Sequence, residues 1–189
     1  MMTDEAMPSI AIFYGSSTGN TQDAAEKIKG ELGDFVSHMA DVVDSEPADL
    51  ENYDILLLGV STWNIGEMQE DWDTFIPNMS DLNLSGKKVA FFAMGDQAGY
   101  PDNFLDAMGQ LWKVVKELGE PELVGVWPTE GYEFDASEGL FDESHFFGLG
   151  LDEENQSEMH DERISTWPVS YTHLRAHETL RYLVCRLLL

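Results

Sequence analysis

Between positions 14 and 21 the chain reads Tyr14-Gly15-Ser16-Ser17-Thr18-Gly19-Asn20-Thr21, directly after the apolar run Ile10-Ala11-Ile12-Phe13. Hydroxyls and glycines concentrated in so short a span suit the binding of a phosphate. The glycines let the backbone bend so that several N–H groups point inward. Ser16, Ser17, Thr18 and Thr21 can add hydroxyl donors. A helix opening near Asn20 turns the positive end of its dipole toward the same point. The loop carries neither Lys nor Arg. A nucleoside-triphosphatase loop of the form GxxxxGK[ST] places a lysine against the β- and γ-phosphates. Spacing and charge here point instead to one terminal phosphate on a tightly held cofactor.

Such a loop needs a strand before it and a helix after it, and the sequence supplies both. Apolar runs at 9–14, 35–39, 55–60, 88–94 and 123–127 read as strands. Amphipathic stretches at 21–32, 68–76, 103–118 and 158–167 read as helices. In the first helix Ala24, Ala25, Ile28 and Leu32 recur at helical spacing, and Gly33 supplies a stop. Between 103 and 118 a wide stripe of Phe104, Leu105, Met108, Leu111, Trp112, Val115 and Leu118 is followed by Gly119. Strands that are apolar throughout and alternate with helices predict a parallel sheet covered on both faces.

The chain has 189 residues, enough for one domain with a full core. Its 36 acidic and 10 basic residues give a formal charge of -26, which disfavours nucleic acid and anionic membranes and favours basic protein faces. Solubility or a saline habitat is the plainer reading of that charge. A single cysteine excludes a disulfide framework and predicts a reducing compartment. The N-terminus lacks the pattern of a secretory signal, and no apolar run is long enough to span a bilayer. A cytoplasmic protein is expected. Residues 168–189 break the pattern, with Glu178 the one acid against Arg175, Arg181 and Arg186, and with Cys185 the only cysteine. Residues 170–179 resemble translated adapter sequence, so 8–167 is read as the domain and 168–189 as a non-native tail. A basic partner-binding tail is the alternative.

Two more segments follow strand ends. Ser61-Thr62-Trp63-Asn64-Ile65-Gly66-Glu67 comes after the third strand, and Gly95-Asp96-Gln97-Ala98-Gly99-Tyr100-Pro101-Asp102-Asn103-Phe104 after the fourth. With the phosphate loop, these resemble the flavodoxin family over residues 8 to 167. The stretch from Gly131 to Gln156 resembles the insertion that splits the fifth strand in long-chain members, with residues 146–151 resuming that strand. The fold implied is α/β, a flavodoxin-like doubly wound five-stranded parallel sheet of order 2-1-3-4-5 with helices on both faces; this architecture with FMN at its switch point is itself a standard illustration of the ligand-site rule.

The resemblance implies a non-covalent FMN. Ser16, Ser17, Thr18, Gly19, Asn20 and Thr21 would hold its phosphate. Thr62 and Asn64 would line the ribityl chain and ring edge, and Trp63 and Tyr100 would flank the ring. Backbone near Asp96 and Asn103 would meet the pyrimidine end. The Asn64–Ile65 peptide, eased by Gly66, would turn its carbonyl toward N5. Leu105 stands where the family often has a polar residue, so contact to the ring edge is expected there from backbone and not from the side chain. The function implied is a low-potential one-electron carrier, not an enzyme, shuttling between semiquinone and hydroquinone. Transient docking to basic redox proteins such as a ferredoxin–NADP reductase is expected, from a monomer. The alternative is an FMN-dependent quinone reductase, which a ring-stacked Trp opposes. A phosphoacceptor domain lacks its aspartate at the ends of the first and third strands.

Other residues have plainer readings. Asp96 serves the site or caps a turn, and Asp102 caps the following helix. The acids from Asp152 to Glu162 read as a solvated face, lacking calcium-loop spacing. His145 and His160 read as surface or packing residues, and Gly148-Leu149-Gly150 as a fragment of a dinucleotide fingerprint without its third glycine.

Overall fold

The computed structural model describes residues 8–167. The predicted tail, Pro168 included, lies outside the described residues. Along the chain run β1 (Ile10–Tyr14), α1 (Asn20–Leu32), β2 (Val36–Asp41), β3 (Ile55–Trp63), β4 (Glu67–Met68), α2 (Glu70–Phe75), β5 (Lys88–Met94) and α3 (Asp106–Glu117). Then come β6 (Glu122–Leu123), β7 (Trp127–Pro128), β8 (Leu140–Asp142), β9 (His145–Phe146), β10 (Leu149–Leu151), α4 (Glu153–Gln156) and α5 (His160–Thr166).

The parallel strands lie in the order β10-β5-β3-β1-β2. Counted as the first to fifth parallel strands, this is the expected 2-1-3-4-5. The fifth strand is split: β6 pairs with the start of β5 and β10 with its end, both parallel. Side-chain alternation explains why a sheet so apolar can be covered twice. Ala11, Phe13, Leu56, Leu58, Val60, Val89, Phe91 and Ala93 enter one core beneath α2 and α3. Ile10, Ile12, Tyr14, Ile55, Leu57, Ala90, Phe92 and Met94 enter the other, beneath α1 and α5.

Several expected boundaries move, for identifiable reasons. The second strand runs Val36–Asp41 rather than 35–39, its Met39, Ala40 and Asp41 paired with β1. The helix expected from 68 begins at Glu70, because Thr62 pairs with Met68 and Trp63 with Glu67 in an antiparallel hairpin. The helix expected from 103 begins at Asp106, after a 3-10 turn at Pro101–Asn103. Asp102 therefore does not cap it; Leu105, at φ 59°, occupies the cap position without a side-chain hydrogen bond. The last helix is regular from His160, preceded by a 3-10 turn, Ser157–Met159. The strand expected at 123–127 leaves the sheet after Val124, whose N–H still donates to Val89 O at 2.9 Å. Trp127–Pro128 instead pairs with β9, and β9 with β8, forming a small antiparallel sheet. Phe146 belongs to that sheet, so only Leu149–Leu151 resumes the fifth strand.

Candidate functional site

Ligands of doubly wound sheets sit beyond the carboxyl ends of the strands, where the strand order reverses. Here β1 and β3 are neighbours, and their helices cover opposite faces of the sheet. Beyond these ends lies a cleft of about 450 Å³, lined by Thr18, Asn20 and Thr21, by Ser61 to Asn64, by Met94 to Asp96, by Tyr100, and by Glu153 and Glu154. The three segments singled out in the sequence therefore meet at one place.

The phosphate loop is built from its own side chains. Ser16 Oγ accepts from the N–H groups of Gly19 at 3.1 Å and Gln22 at 3.4 Å, drawing the loop around the start of α1. Ser17 Oγ accepts from Gln69 Nε2 at 3.1 Å. Ser16 and Ser17 thus shape the loop and do not line the cleft, whereas Thr18, Asn20 and Thr21 do. Gly19 sits at φ 95°, a conformation open to glycine and strained for other residues, and it delivers the first N–H groups of α1. Those groups have no carbonyl one turn back to bond, so an anion can take them.

Trp63 and Tyr100 are 38% and 41% exposed, unusual for aromatics beside a core. Trp63 Nε1 donates to Ser61 Oγ at 2.9 Å, which fixes the indole. The turn after it has Asn64 at φ 46° and Gly66 at φ 90°. Asn64 Nδ2 donates to Glu67 Oε2 at 2.6 Å, and Gln110 Nε2 donates to Gly66 O at 2.8 Å. Ile65, at the tip, is 75% exposed. Thr62 lines the cleft while its Oγ1 accepts from Ala107 N at 3.2 Å, tying the β3 end to the start of α3.

Asp96 lines the cleft and also holds its own loop: its Oδ1 accepts from Gly99 N at 2.7 Å and Asn155 Nδ2 at 2.9 Å. The turn-capping reading of Asp96 is therefore realised together with its place in the cleft. Asn103 sits behind the 64–66 turn, its Nδ2 donating to Asp106 Oδ2 at 2.9 Å, and is not among the cleft-lining residues. Leu105 is fully buried in the core, so its side chain makes no cleft contact.

Sequence reasoning missed four contributors. Gln69 is 1% exposed and braces the loop from below, accepting from Trp72 N and donating to Ser17. Its signal was a lone amide where an apolar residue would continue a core face. Ser61 orients Trp63. Glu153 and Glu154, read as solvated, stand at the cleft rim because Asp152 caps α4. Asp152 is fully buried, accepting from Gln97 N at 3.0 Å, Gln97 Nε2 at 2.8 Å and Asn155 N at 3.0 Å. Among the described residues no Lys or Arg lines the cleft, whose charged side chains are Asp96, Glu153 and Glu154.

A neutral hydroxyl and N–H cradle, two half-exposed aromatics and an acidic rim fit a planar, aromatic cofactor ending in one phosphate. Comparison with known proteins agrees. The flavodoxin family model matches residues 12–167. A flavodoxin of Klebsiella pneumoniae is 46% identical over 161 residues, 85% of this chain and 91% of that protein. A Synechocystis flavodoxin is 46% identical over 162 residues, 85% of this chain and 94% of its own length. The crystal structure of Fusobacterium nucleatum flavodoxin bound to flavin mononucleotide superposes with a TM-score of 0.80 at 27% identity, covering 86% of this chain and 96% of that one. Three strand-end segments in one cleft, a family match across the described domain and near-full-length relatives lead to one conclusion: this chain belongs to the flavodoxin family.

Proposed function

We propose that this protein is an electron carrier that holds FMN non-covalently in the cleft. The observation that supports the reading is the cleft itself, in which Thr18, Asn20 and Thr21 meet Trp63 and Tyr100 at the strand ends. Bound there, the flavin supplies reversible single-electron chemistry. The chain's own residues do the rest. N–H groups of the 16–21 loop, with the Thr18 and Thr21 hydroxyls, bind the phosphate. Trp63 and Tyr100 cover the ring and exclude water. The Asn64–Ile65 carbonyl would be free to accept from a proton-bearing ring nitrogen of a bound flavin, a role its glycine-assisted turn permits. Asp96, Glu153 and Glu154 would oppose negative charge gained by a ring held there.

The acidic face suits transient, salt-sensitive encounters with basic redox proteins, a ferredoxin–NADP reductase among them. A monomer in the cytoplasm completes the proposal; among the described residues no helix is long and apolar enough to cross a membrane. The test is reconstitution with FMN followed by stepwise reduction under argon. The expected spectrum turns from yellow to blue and then pale. Bleaching without a blue stage would show two-electron chemistry and overturn the carrier reading.

A further inference from the structure

Gln69 is 1% exposed, so its amide must be satisfied from within the protein. Oε1 accepts from Trp72 N at 3.3 Å, where Gln69 caps α2. Nε2 donates to Ser17 Oγ at 3.1 Å and to Asp71 Oδ2 at 2.5 Å. These partners fix the amide's orientation, since a flipped group would turn its donors toward the Trp72 N–H. The main chain of the same residue reaches the other half of the cleft. Gln69 N donates to Ser61 O at 3.1 Å, and Ser61 Oγ accepts from Trp63 Nε1 at 2.9 Å. One buried residue therefore joins Ser17 of the phosphate loop to the strand end that orients Trp63.

Packing repeats the link. A Cβ added at Gly15 would run into Gln69 Oε1 and lie 2.9 Å from Trp72 Cδ1, so the loop backbone rests directly on this pair. Gly59 O accepts from Gly15 N at 3.1 Å and from Trp72 Nε1 at 2.7 Å. The floor of the loop is thus made by Gln69 and Trp72, both buried. Gln69 is not among the cleft-lining residues, whereas Ser61 and Trp63 are. What Gln69 does for a ligand it does through the residues it holds.

We infer, resting on the reading of the cleft as a flavin phosphate site, that Gln69 is a positioning residue coupling the phosphate end of the cleft to its ring end. An anion seated in the 16–21 loop restrains Ser17, and through Gln69 it restrains Ser61 and Trp63. A group that rigidifies one end lowers the ordering cost left for the other, which is positive cooperativity without a change of shape. Such coupling is reciprocal, so a ring against Trp63 favours the ordered loop to the same degree. Removing the amide cuts the link and leaves each end to bind by itself.

Riboflavin, the ring without the phosphate, separates the two ends. Flavin fluorescence gives dissociation constants of FMN and riboflavin for the cofactor-free full chain, for Trp63→Ala, for Gln69→Met and for the double variant. Methionine keeps the length of the side chain and removes the amide. With Gln69 in place, Trp63→Ala should weaken FMN about twofold or more beyond its effect on riboflavin, the low end for residues joined in one network. In the Gln69→Met background the two losses should be equal. A difference that persists there, or one absent from the wild type, overturns the inference. A merely structural role would weaken both flavins and leave the difference in place. Ser17→Ala cuts the same link from the exposed side. Paired with Trp63→Ala in the same way, it should also abolish the difference, and it decides the outcome if the buried substitution prevents folding. A wild type that binds neither flavin, or both equally, overturns the phosphate-site reading itself and this inference with it.

Discussion

Trp63 owes its place to one hydrogen bond from its indole to Ser61 and to a turn that leaves its face open. Stacking beyond area burial contributes roughly 0.5–1.5 kcal/mol per aromatic pair. Trp63→Ala should therefore weaken FMN binding about two- to tenfold, since 1.4 kcal/mol is a factor of ten. Quenching of flavin fluorescence on titration measures this, and an unchanged dissociation constant would remove Trp63 from the site. Tyr132 matters in another way. Its hydroxyl donates to Gly150 O at 2.6 Å and accepts from Trp127 Nε1 at 2.9 Å, linking the insertion to the split strand. Burial pushes its pKa up to about 12 from the ordinary 10. A raised folded-state pKa contributes stability that is fully present below the unfolded value and is lost as pH rises. The wild type should thus lose stability between pH 10 and 12. Tyr132→Phe should lack that contribution to the loss and be less stable at neutral pH by about 1–3 kcal/mol, the cost of leaving buried partners unsatisfied. Urea unfolding at pH 7 and pH 11 separates the two effects.

At the scale of elements, the parts legible in the sequence were those set by local pattern. The 14–21 loop, the apolar strands and the glycine stops announce themselves through composition and period, and the structure keeps all three. What was not legible depends on pairing across distance. Nothing local distinguishes Glu67–Met68 as a strand from the first turn of a helix; the hairpin with Thr62 and Trp63 decides it. Likewise, Trp127 reads as the end of a sheet strand until β9 competes for it. Glu153 and Glu154 read as solvent-facing and are exposed, but the sequence does not show that buried Asp152, anchoring α4 against the 97 loop, sets them at the cleft rim. That anchor gives a prediction. Asp152→Ala leaves the Gln97 and Asn155 donors without their acceptor and should cost about 3 kcal/mol, at the upper end for buried unsatisfied groups. FMN affinity should fall with it, because the rim acids and the Asp96 loop lose a shared support. The turn at 64–66 gives a second. An added Cβ at Gly66 would lie 2.7 Å from Asp106 Oδ2, and its φ of 90° disfavours any side chain. Gly66→Ala should therefore destabilise the fold by about 1–2 kcal/mol. Thermal melts of both variants in the cofactor-free state check these values without reference to binding.

The whole molecule is governed by its charge. Residues 1–167 carry 35 acids against seven bases. The described Lys–carboxylate contacts are Lys27–Asp161 at 2.7 Å, Lys88–Glu122 at 2.9 Å and Lys113–Glu138 at 2.7 Å, all of them solvent-accessible. Pairs of that kind contribute only about 0.2–1 kcal/mol each. Self-repulsion among the unpaired acids acts over every separation shorter than the Debye length, about 30 Å at 0.01 M salt and about 3 Å at 1 M. Repulsion therefore outweighs the pairs, and added sodium chloride should raise the melting temperature even as it screens the ion pairs. The same screening acts in the opposite direction on function. Encounter with the proposed basic partner would be accelerated by the field that strains the fold, and that acceleration would fall steeply with ionic strength. Stopped-flow reduction by a basic flavoprotein reductase should slow as salt rises over the range in which the melting temperature climbs. A neutral reductant such as photoreduced deazaflavin should show much weaker salt dependence. If the two reductants respond alike, salt is acting on the cofactor site and not on docking. If the melting temperature falls with salt, local ion pairs outweigh the net charge.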